Sequence, residues 1–175
     1  MGETLERWDA LRPALAGRYR TLRYDTRGHG GSDTRDRPTA IADLAGDLAG
    51  LLDALGIGRA HLVGLSLGGM TVQALASADP GRALSATLMA TAAFLPSQQS
   101  WDERAATVRA QGTSAVVEAT LGRWFTPGFA APDPEGVGRA AGRERGVRGG
   151  EGLGVGGTTT TPTTNPQQKN PPQRR

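Results

Sequence analysis

The 175-residue sequence contains no cysteine, only two histidines and 5% aromatic residues. The absence of cysteine excludes disulfides, thiolate nucleophiles and cysteine-ligated metal centres. Two histidines are too few for a histidine-rich metal site, so we expect no metal. The sequence also lacks a run of eighteen apolar residues, and residues 1–12 lack the apolar stretch of a signal peptide. These absences predict a soluble, cytoplasmic protein that does not span a membrane.

Lysine is almost absent as well, since 19 of the 20 basic residues are arginine. Residues 1–138 carry a net charge of −2, whereas residues 139–175 carry +5, so the basicity belongs to the C-terminal tail. That tail contains 8 Gly, 4 Pro and 6 Thr in 37 residues and no aromatic side chain. It cannot bury enough apolar surface to offset the entropy of ordering. We therefore predict a disordered, low-complexity tail, and a frameshift or mis-assembled end is the leading explanation for it.

The rest of the sequence alternates between helical and strand-like patterns. The predicted elements are, in order, a short helix over 8–16, a strand at 21–24, a helix over 41–55, a strand at 61–64, a helix over 67–78 and a strand at 87–89. This order is typical of a parallel sheet with right-handed crossover helices, which is an α/β fold. Two helical stretches without a strand between them follow at 101–111 and 114–125, and we expect them to form a lid over the sheet.

The predicted organisation has three parts. Residues 1–92 form a partial α/β core, residues 93–138 a helical lid segment, and residues 139–175 the basic tail. The length allows one domain at most.

A five-residue motif stands between the second predicted strand and its helix. Gly64-Leu65-Ser66-Leu67-Gly68 matches G-x-S-x-G, in which a sharp strand-to-helix turn exposes the serine hydroxyl. Gly64 and Gly68 are small enough to let strand and helix approach closely. The turn places Ser66 at the carboxyl end of the sheet, where open α/β sheets bind ligands. We predict Ser66 as a nucleophile and the Leu67 N–H as an oxyanion donor.

The alternative interpretation is a glycine-rich turn without chemistry, as many bare five-residue matches are. The strand before the motif and the helix after it favour the nucleophile. A dinucleotide-binding loop is excluded because Ser66 occupies the place of the second glycine, and a P-loop is excluded because no Gly-Lys-Ser/Thr is present.

Five segments together resemble the serine α/β-hydrolases, and within them the 3-oxoadipate enol-lactonase group. They are residues 8–15, 19–30, 51–56, 64–70 and 123–128, and the resemblance extends from residue 2 to about residue 138. The lid segment, 101–128, is what narrows the superfamily to this group. The resemblance implies a partial α/β-hydrolase fold and hydrolysis of a small anionic enol-lactone to 3-oxoadipate in aromatic catabolism, without a cofactor. It also implies that Trp124 contacts the substrate.

A serine nucleophile needs a histidine base and a carboxylate that orients it. In this fold the chain order is Ser, Asp or Glu, then His, yet no histidine follows Ser66. We predict that His29 shapes its loop and that His61 is packed or hydrogen-bonded beside the sheet. Three acids that follow Ser66 belong to a turn or to the lid segment; they are Asp79, Asp102 and Asp133.

We therefore expect a fragment of a larger hydrolase that is weakly active or inactive, with a small lactone or ester as its partner and no specific nucleic acid or membrane. Two alternatives stay open: a carboxylesterase, acyltransferase or cofactor-free haloperoxidase of the same fold, and a non-enzymatic module that binds through its basic tail. Trp124 is alternatively a core residue. Three lid arginines either hold a substrate carboxylate or reflect the abundance of arginine; they are Arg104, Arg109 and Arg123.

Overall fold

The computed structural model describes residues 4–34, 37–94 and 97–145. The chain begins with a 3-10 helix, Leu5–Leu11, that continues into α1, Arg12–Leu15. The central elements are α2 (Ile41–Ala54), β1 (Ala60–Leu65), α3 (Leu67–Ala78), a 3-10 turn (Pro80–Arg82) and β2 (Ala83–Met89). The C-terminal elements are α4 (Gln98–Gln111), a 3-10 turn (Thr113–Val116), α5 (Val117–Trp124), α6 (Pro127–Ala130) and α7 (Pro134–Arg145).

Helix α2 begins and packs as its sequence predicts. The Asp43 carboxylate accepts a hydrogen bond of 2.9 Å from the Ala40 N–H, which is half of a capping box. Leu44, Leu48 and Leu52 recur every four residues, and all three are buried. This face of α2 helps to form a core cluster with α3 and β1.

Gly56 ends helix α2. Its φ of 66° lies in the left-handed region that glycine adopts most easily. The Gly56 N–H donates to the Asp53 carbonyl at 3.0 Å, and the Ile57 N–H donates to the Leu52 carbonyl at 2.8 Å. These two bonds form a Schellman motif, which satisfies carbonyls that the helix end would leave without partners.

Strands β1 and β2 pair in parallel, with His61 opposite Ser85 and Leu65 opposite Met89. Helix α3 connects them, so the predicted strand–helix–strand crossover is confirmed. One face of the pair packs on α2 and α3, where Leu62 is 6% exposed. On the opposite face of β1, the neighbouring residue Val63 is 48% exposed.

The strand predicted at residues 21–24 is wrong, because no strand is assigned there in the structure. A strand needs a partner with which to exchange backbone hydrogen bonds. The segment is instead tied by side chains to the first helix. The Arg23 guanidinium donates to the Leu5 carbonyl at 2.9 Å and to the Asp9 carboxylate at 2.7 Å. The Leu5 N–H in turn donates to the Asp25 carboxylate at 2.7 Å.

The two helices predicted over 101–111 and 114–125 are present as α4 and α5, and α7 packs beside α5. Their role as a lid stays a prediction, and the name lid refers below to residues 97–145. Val117 and Leu121 of α5 form a second core cluster with Ala140 and Ala141 of α7. Helix α7 therefore continues to Arg145, past the boundary at residue 138 where the tail was predicted to begin. Two alanines are enough to pack α7 because they lie against the apolar face of α5. The predicted disorder of residues 146–175 lies outside the described residues.

Candidate active site

Ser66 occupies a strained turn between β1 and α3. Its φ of 51° and ψ of −112° lie outside the regions that residues with a side chain ordinarily occupy. Two backbone hydrogen bonds hold the turn: the Ser66 N–H donates to the Met89 carbonyl at 2.8 Å, and the Met70 N–H donates to the Ser66 carbonyl at 3.1 Å. The side chain remains exposed. This is the sharp strand-to-helix geometry that the motif predicts for a nucleophile.

The glycines of the motif have different structural roles. A Cβ on Gly64 would lie 2.3 Å from the Gly68 carbonyl oxygen, so β1 and α3 are in backbone contact at this point. A Cβ on Gly69 would lie 2.5 Å from the Thr91 side chain. A Cβ on Gly68 would meet nothing within 4 Å. Gly64 and Gly69 are therefore required by close approach, whereas Gly68 is not.

Leu67 is the first residue of α3. The first N–H groups of a helix have no acceptor within the helix, and the helix dipole places partial positive charge there. The Leu67 N–H therefore lies where the predicted oxyanion donor has to lie, and its role stays a prediction.

A cleft of about 1390 Å³ contains Ser66 and extends from the elbow to the lid. Trp8 and Arg7 line it from the N-terminal helix, while Arg104 and Trp124 line it from the lid. Among the described residues, seven arginines and no carboxylate line this cleft. They are Arg7, Arg12, Arg20, Arg23, Arg59, Arg104 and Arg123. Arg12 and Arg23 lie 3.8 Å and 2.7 Å from the Asp9 carboxylate, so one acidic side chain offsets part of this charge. The remaining excess of arginine favours an anionic ligand.

The lid arginines predicted as carboxylate binders are placed differently from one another. Arg104 donates to the Thr120 hydroxyl at 2.9 Å, and that hydroxyl donates to the Val116 carbonyl at 2.7 Å. Arg104 and Arg123 both line the cleft, whereas Arg109 is exposed and does not. The Arg104–Thr120 bond joins α4 to α5, and it could not be predicted from the sequence because the partners are sixteen residues apart.

Trp124 lies at the end of α5 and is 39% exposed. Its ring makes an edge contact with Phe125, with centroids 6.5 Å apart. The Arg7 guanidinium lies 5.6 Å from the centre of the Trp124 ring, a cation–π distance. This contact links the N-terminal 3-10 helix to the lid across the cleft.

The two histidines occupy different parts of the molecule. His29 is buried, and its Nδ1 lies 3.1 Å from the Arg27 carbonyl oxygen, which supports the predicted role in shaping the loop. His61 lies on β1 with its Nδ1 2.8 Å from the Ser85 hydroxyl, so the prediction of a hydrogen-bonded side chain beside the sheet is confirmed. Its partner could not be predicted, because the register between strands is not evident from the sequence.

A two-bond ion pair anchors the loop that carries His29. Arg27 donates through Nε and a terminal nitrogen to both oxygens of Asp47, each at 2.5 Å. This hydrogen bonding raises the pKa of Arg27 above its ordinary value. Burial raises the pKa of the neighbouring Tyr24, and the charge of Asp47 raises it further. The loop is thereby fixed to α2 beside the cleft.

The sequence matches the model of a family described by the alpha/beta hydrolase fold over residues 1–116. The chain belongs to the α/β-hydrolase family. It is 39% identical over 135 residues to 3-oxoadipate enol-lactonase 2 of Acinetobacter baylyi, a match that covers 77% of this chain and 51% of the relative. It is 38% identical over 122 residues to 3-oxoadipate enol-lactonase 1 of the same organism, covering 70% and 46% respectively. This α/β-hydrolase chain thus spans about half the length of the curated relatives that it matches.

Solved structures agree with this assignment. A hydrolase from Pseudomonas aeruginosa superposes with a TM-score of 0.81 at 41% identity, covering 87% of this chain and 58% of that one. The enol-lactonase from Burkholderia xenovorans LB400 superposes with a TM-score of 0.81 at 38% identity, covering 84% and 56%. The partial α/β-hydrolase fold predicted from the sequence is therefore confirmed.

Within the described ranges, no group of three or more His, Cys, Asp or Glu side chains could hold a metal ion. In the same part of the chain, no helix is long and apolar enough to cross a membrane.

Proposed function

We propose that this chain carries the nucleophilic half of an ester or lactone hydrolase, with Ser66 as the nucleophile and an enol-lactone as the substrate. The observation that carries the proposal is the left-handed backbone of Ser66, held between a parallel strand and a helix at the edge of an open cleft. Strain of this kind persists only where the surrounding structure enforces it, and it is concentrated at functional sites.

The proposed reaction begins with attack of the Ser66 hydroxyl oxygen on the lactone carbonyl carbon. The negative charge that develops on the carbonyl oxygen faces the Leu67 N–H at the start of α3. The bond between the carbonyl carbon and the ring oxygen then breaks, and the serine proton passes through water to the released enol oxygen. A second water then hydrolyses the acyl-serine to the free acid and regenerates the serine hydroxyl. No cofactor takes part in these steps.

The proposed substrate class is supported by the charge of the residues that line the cleft and by the names of two relatives. Two relatives are named 3-oxoadipate enol-lactonase, and the arginine-lined cleft suits a lactone that carries a carboxylate. In our proposal Trp124, exposed at the lid side of the cleft, covers the bound ring, while Arg104 and Arg123 are the candidate partners of the carboxylate.

The chain alone should be a poor catalyst, because the sequence provides no histidine after Ser66. General-base help is worth roughly 10²–10⁴ in rate. We therefore expect this chain to hydrolyse an enol-lactone at least about a hundredfold more slowly than a version extended with the remaining elements of the enol-lactonase fold.

The test compares three proteins in both the short and the extended form: wild type, Ser66→Ala and Ser100→Ala. Ser100 is a matched control because it also lines the cleft but lies on α4. Ser66→Ala should abolish turnover by the extended form, and Ser100→Ala should preserve it.

Full turnover without Ser66 would overturn the nucleophile assignment. Turnover of the short form within tenfold of the extended form would overturn the expectation of a poor catalyst and would make His29, which also lines the cleft, the candidate base. Preference for a neutral aryl ester over the enol-lactone would favour the carboxylesterase alternative.

A further inference from the structure

A second serine in this chain lies within hydrogen-bond distance of an imidazole. The Ser85 hydroxyl on β2 is 2.8 Å from Nδ1 of His61 on β1. The two residues are direct register partners in the parallel pair, so their side chains project side by side from the same face of the sheet. Neither residue belongs to the elbow at the other end of β1.

The His61–Ser85 pair is accessible from the cleft, and a neighbouring aromatic ring holds the imidazole in place. His61 and Ser85 are exposed and line the same open cleft as the elbow, at its far end. The Tyr19 ring meets the His61 imidazole edge-on, with centroids 6.1 Å apart, and the Arg18 guanidinium lies 5.9 Å from the centre of the Tyr19 ring. These contacts hold one side of the imidazole while a small reagent can still approach Ser85.

A serine next to an imidazole has the first two components of an activated nucleophile: the hydroxyl and a base within hydrogen-bond reach. A base needs to lie about 2.6–3.2 Å from the atom whose proton it takes. The distance of 2.8 Å between His61 Nδ1 and Ser85 Oγ meets that requirement.

We propose that Ser85 is a second nucleophilic serine, activated by His61, and that it is acylated by small activated esters. In this step the Ser85 hydroxyl proton moves to His61 Nδ1 while the Ser85 oxygen forms a bond to the acyl carbon. The bond between that carbon and the phenolic oxygen of an aryl ester breaks, the phenolate leaves, and His61 returns its proton to water. The product is an O-acyl serine on β2.

The experiment uses the full chain carrying Ser66→Ala, so that acylation at the elbow cannot contribute. The protein is incubated with p-nitrophenyl acetate and quenched in acid at short times, and peptide mass spectrometry then locates the acetyl group. Two exposed serines outside the β1–β2 pair, Ser100 on α4 and Ser114 in the following turn, serve as internal references in the same sample.

We expect Ser85 to be acetylated at least tenfold faster than Ser100 and Ser114, and His61→Gln to remove that advantage. His61 is exposed, so this variant should keep its fold, which circular dichroism checks. Equal rates at the three serines of the parent protein would overturn the proposal without any variant at His61. An acetyl group found on His61 itself, or an unchanged Ser85 rate in His61→Gln, would overturn it as well.

Discussion

The close contact between β1 and α3 makes Gly64 the position in the elbow that is least able to accept a side chain. A Cβ there would lie 2.3 Å from the Gly68 carbonyl oxygen, 2.4 Å from its carbon and 2.6 Å from the Gly69 nitrogen. All three are backbone atoms, so no side-chain rotation can relieve the clash. Strand and helix would have to separate by about 1 Å to restore ordinary van der Waals contact. We therefore expect Gly64→Ala to lower the free energy of unfolding by roughly 3 kcal/mol, at the upper end of overpacking costs.

Gly68→Ala is the matched control, because it changes the same residue type within the same motif. No atom lies within 4 Å of a Cβ at Gly68, and the residue is helical. Alanine is the better helix former by up to about 1 kcal/mol, so this substitution should be neutral or slightly stabilising.

The assay is urea unfolding followed by circular dichroism at 222 nm for the wild type and both variants. If Gly64→Ala is too unstable to show a folded baseline while Gly68→Ala unfolds like the wild type, the prediction also holds. Equal stability of the two variants would refute the reasoning, because it would mean that strand and helix are not in backbone contact at the elbow. A large loss of stability in Gly68→Ala alone would mean that the close contact is at Gly68 and not at Gly64.

Three further substitutions test strain and charge near the cleft. Ala90 has a φ of 46°, so Ala90→Gly should raise the free energy of unfolding by roughly 0.5–1 kcal/mol in urea melts, and lower stability would contradict the strain. Arg27→Lys replaces the two-bond contact to Asp47 with a single one and should cost about 1–2 kcal/mol by the same assay; no loss would mean that the pair contributes little. The pKa of Asp43 is lowered, and the largest cause is the hydrogen bond from the Ala40 N–H. The ionised Asp43 carboxylate therefore stabilises the fold above the ordinary carboxyl pKa, and this stabilisation is lost as the pH falls through the lowered pKa. Wild type and Asp43→Asn should therefore differ in stability at neutral pH and converge in acid, whereas a constant difference in melts from pH 7 to pH 2 would argue against this linkage.

The elements that the sequence predicted well are those whose signals are local. The leucine spacing of α2, the glycine that ends it and the apolar run of β1 each depend on residues within one or two turns of the chain. The elbow belongs to the same class, since its turn is specified by five consecutive residues. Local patterns of this kind survive in the folded protein because nothing in the tertiary structure opposes them.

The strand that was predicted wrongly, and the features that the sequence could not predict, depend on a partner elsewhere in the chain. Residues 21–24 alternate like a strand, yet Arg23 is bound to the first helix and no strand is assigned there. The disordered tail was predicted to begin at residue 139, whereas α7 extends to Arg145, because Ala140 and Ala141 gain a core through their contact with α5. The partnership of His61 with Ser85 depends on the register of two strands, which is fixed by packing and not by either segment alone.

The positions of the two histidines determine where this chain can carry out acid–base chemistry. His61 and Ser66 are five residues apart, and a strand rises about 3.3 Å per residue, so roughly 16 Å separates their backbones. That gap is far beyond the distance of about 3 Å at which a base takes a proton from a hydroxyl. His29 also lines the cleft, but it is buried, and its Nδ1 lies 3.1 Å from the Arg27 carbonyl oxygen, which fits the role of shaping its loop. In our proposal His61 is the base for Ser85. His61 cannot be the base for Ser66, and the sequence contains no histidine after Ser66. Loss of turnover in Ser66→Ala and loss of acylation in His61→Gln therefore report on separate sites, and either result can fail while the other stands.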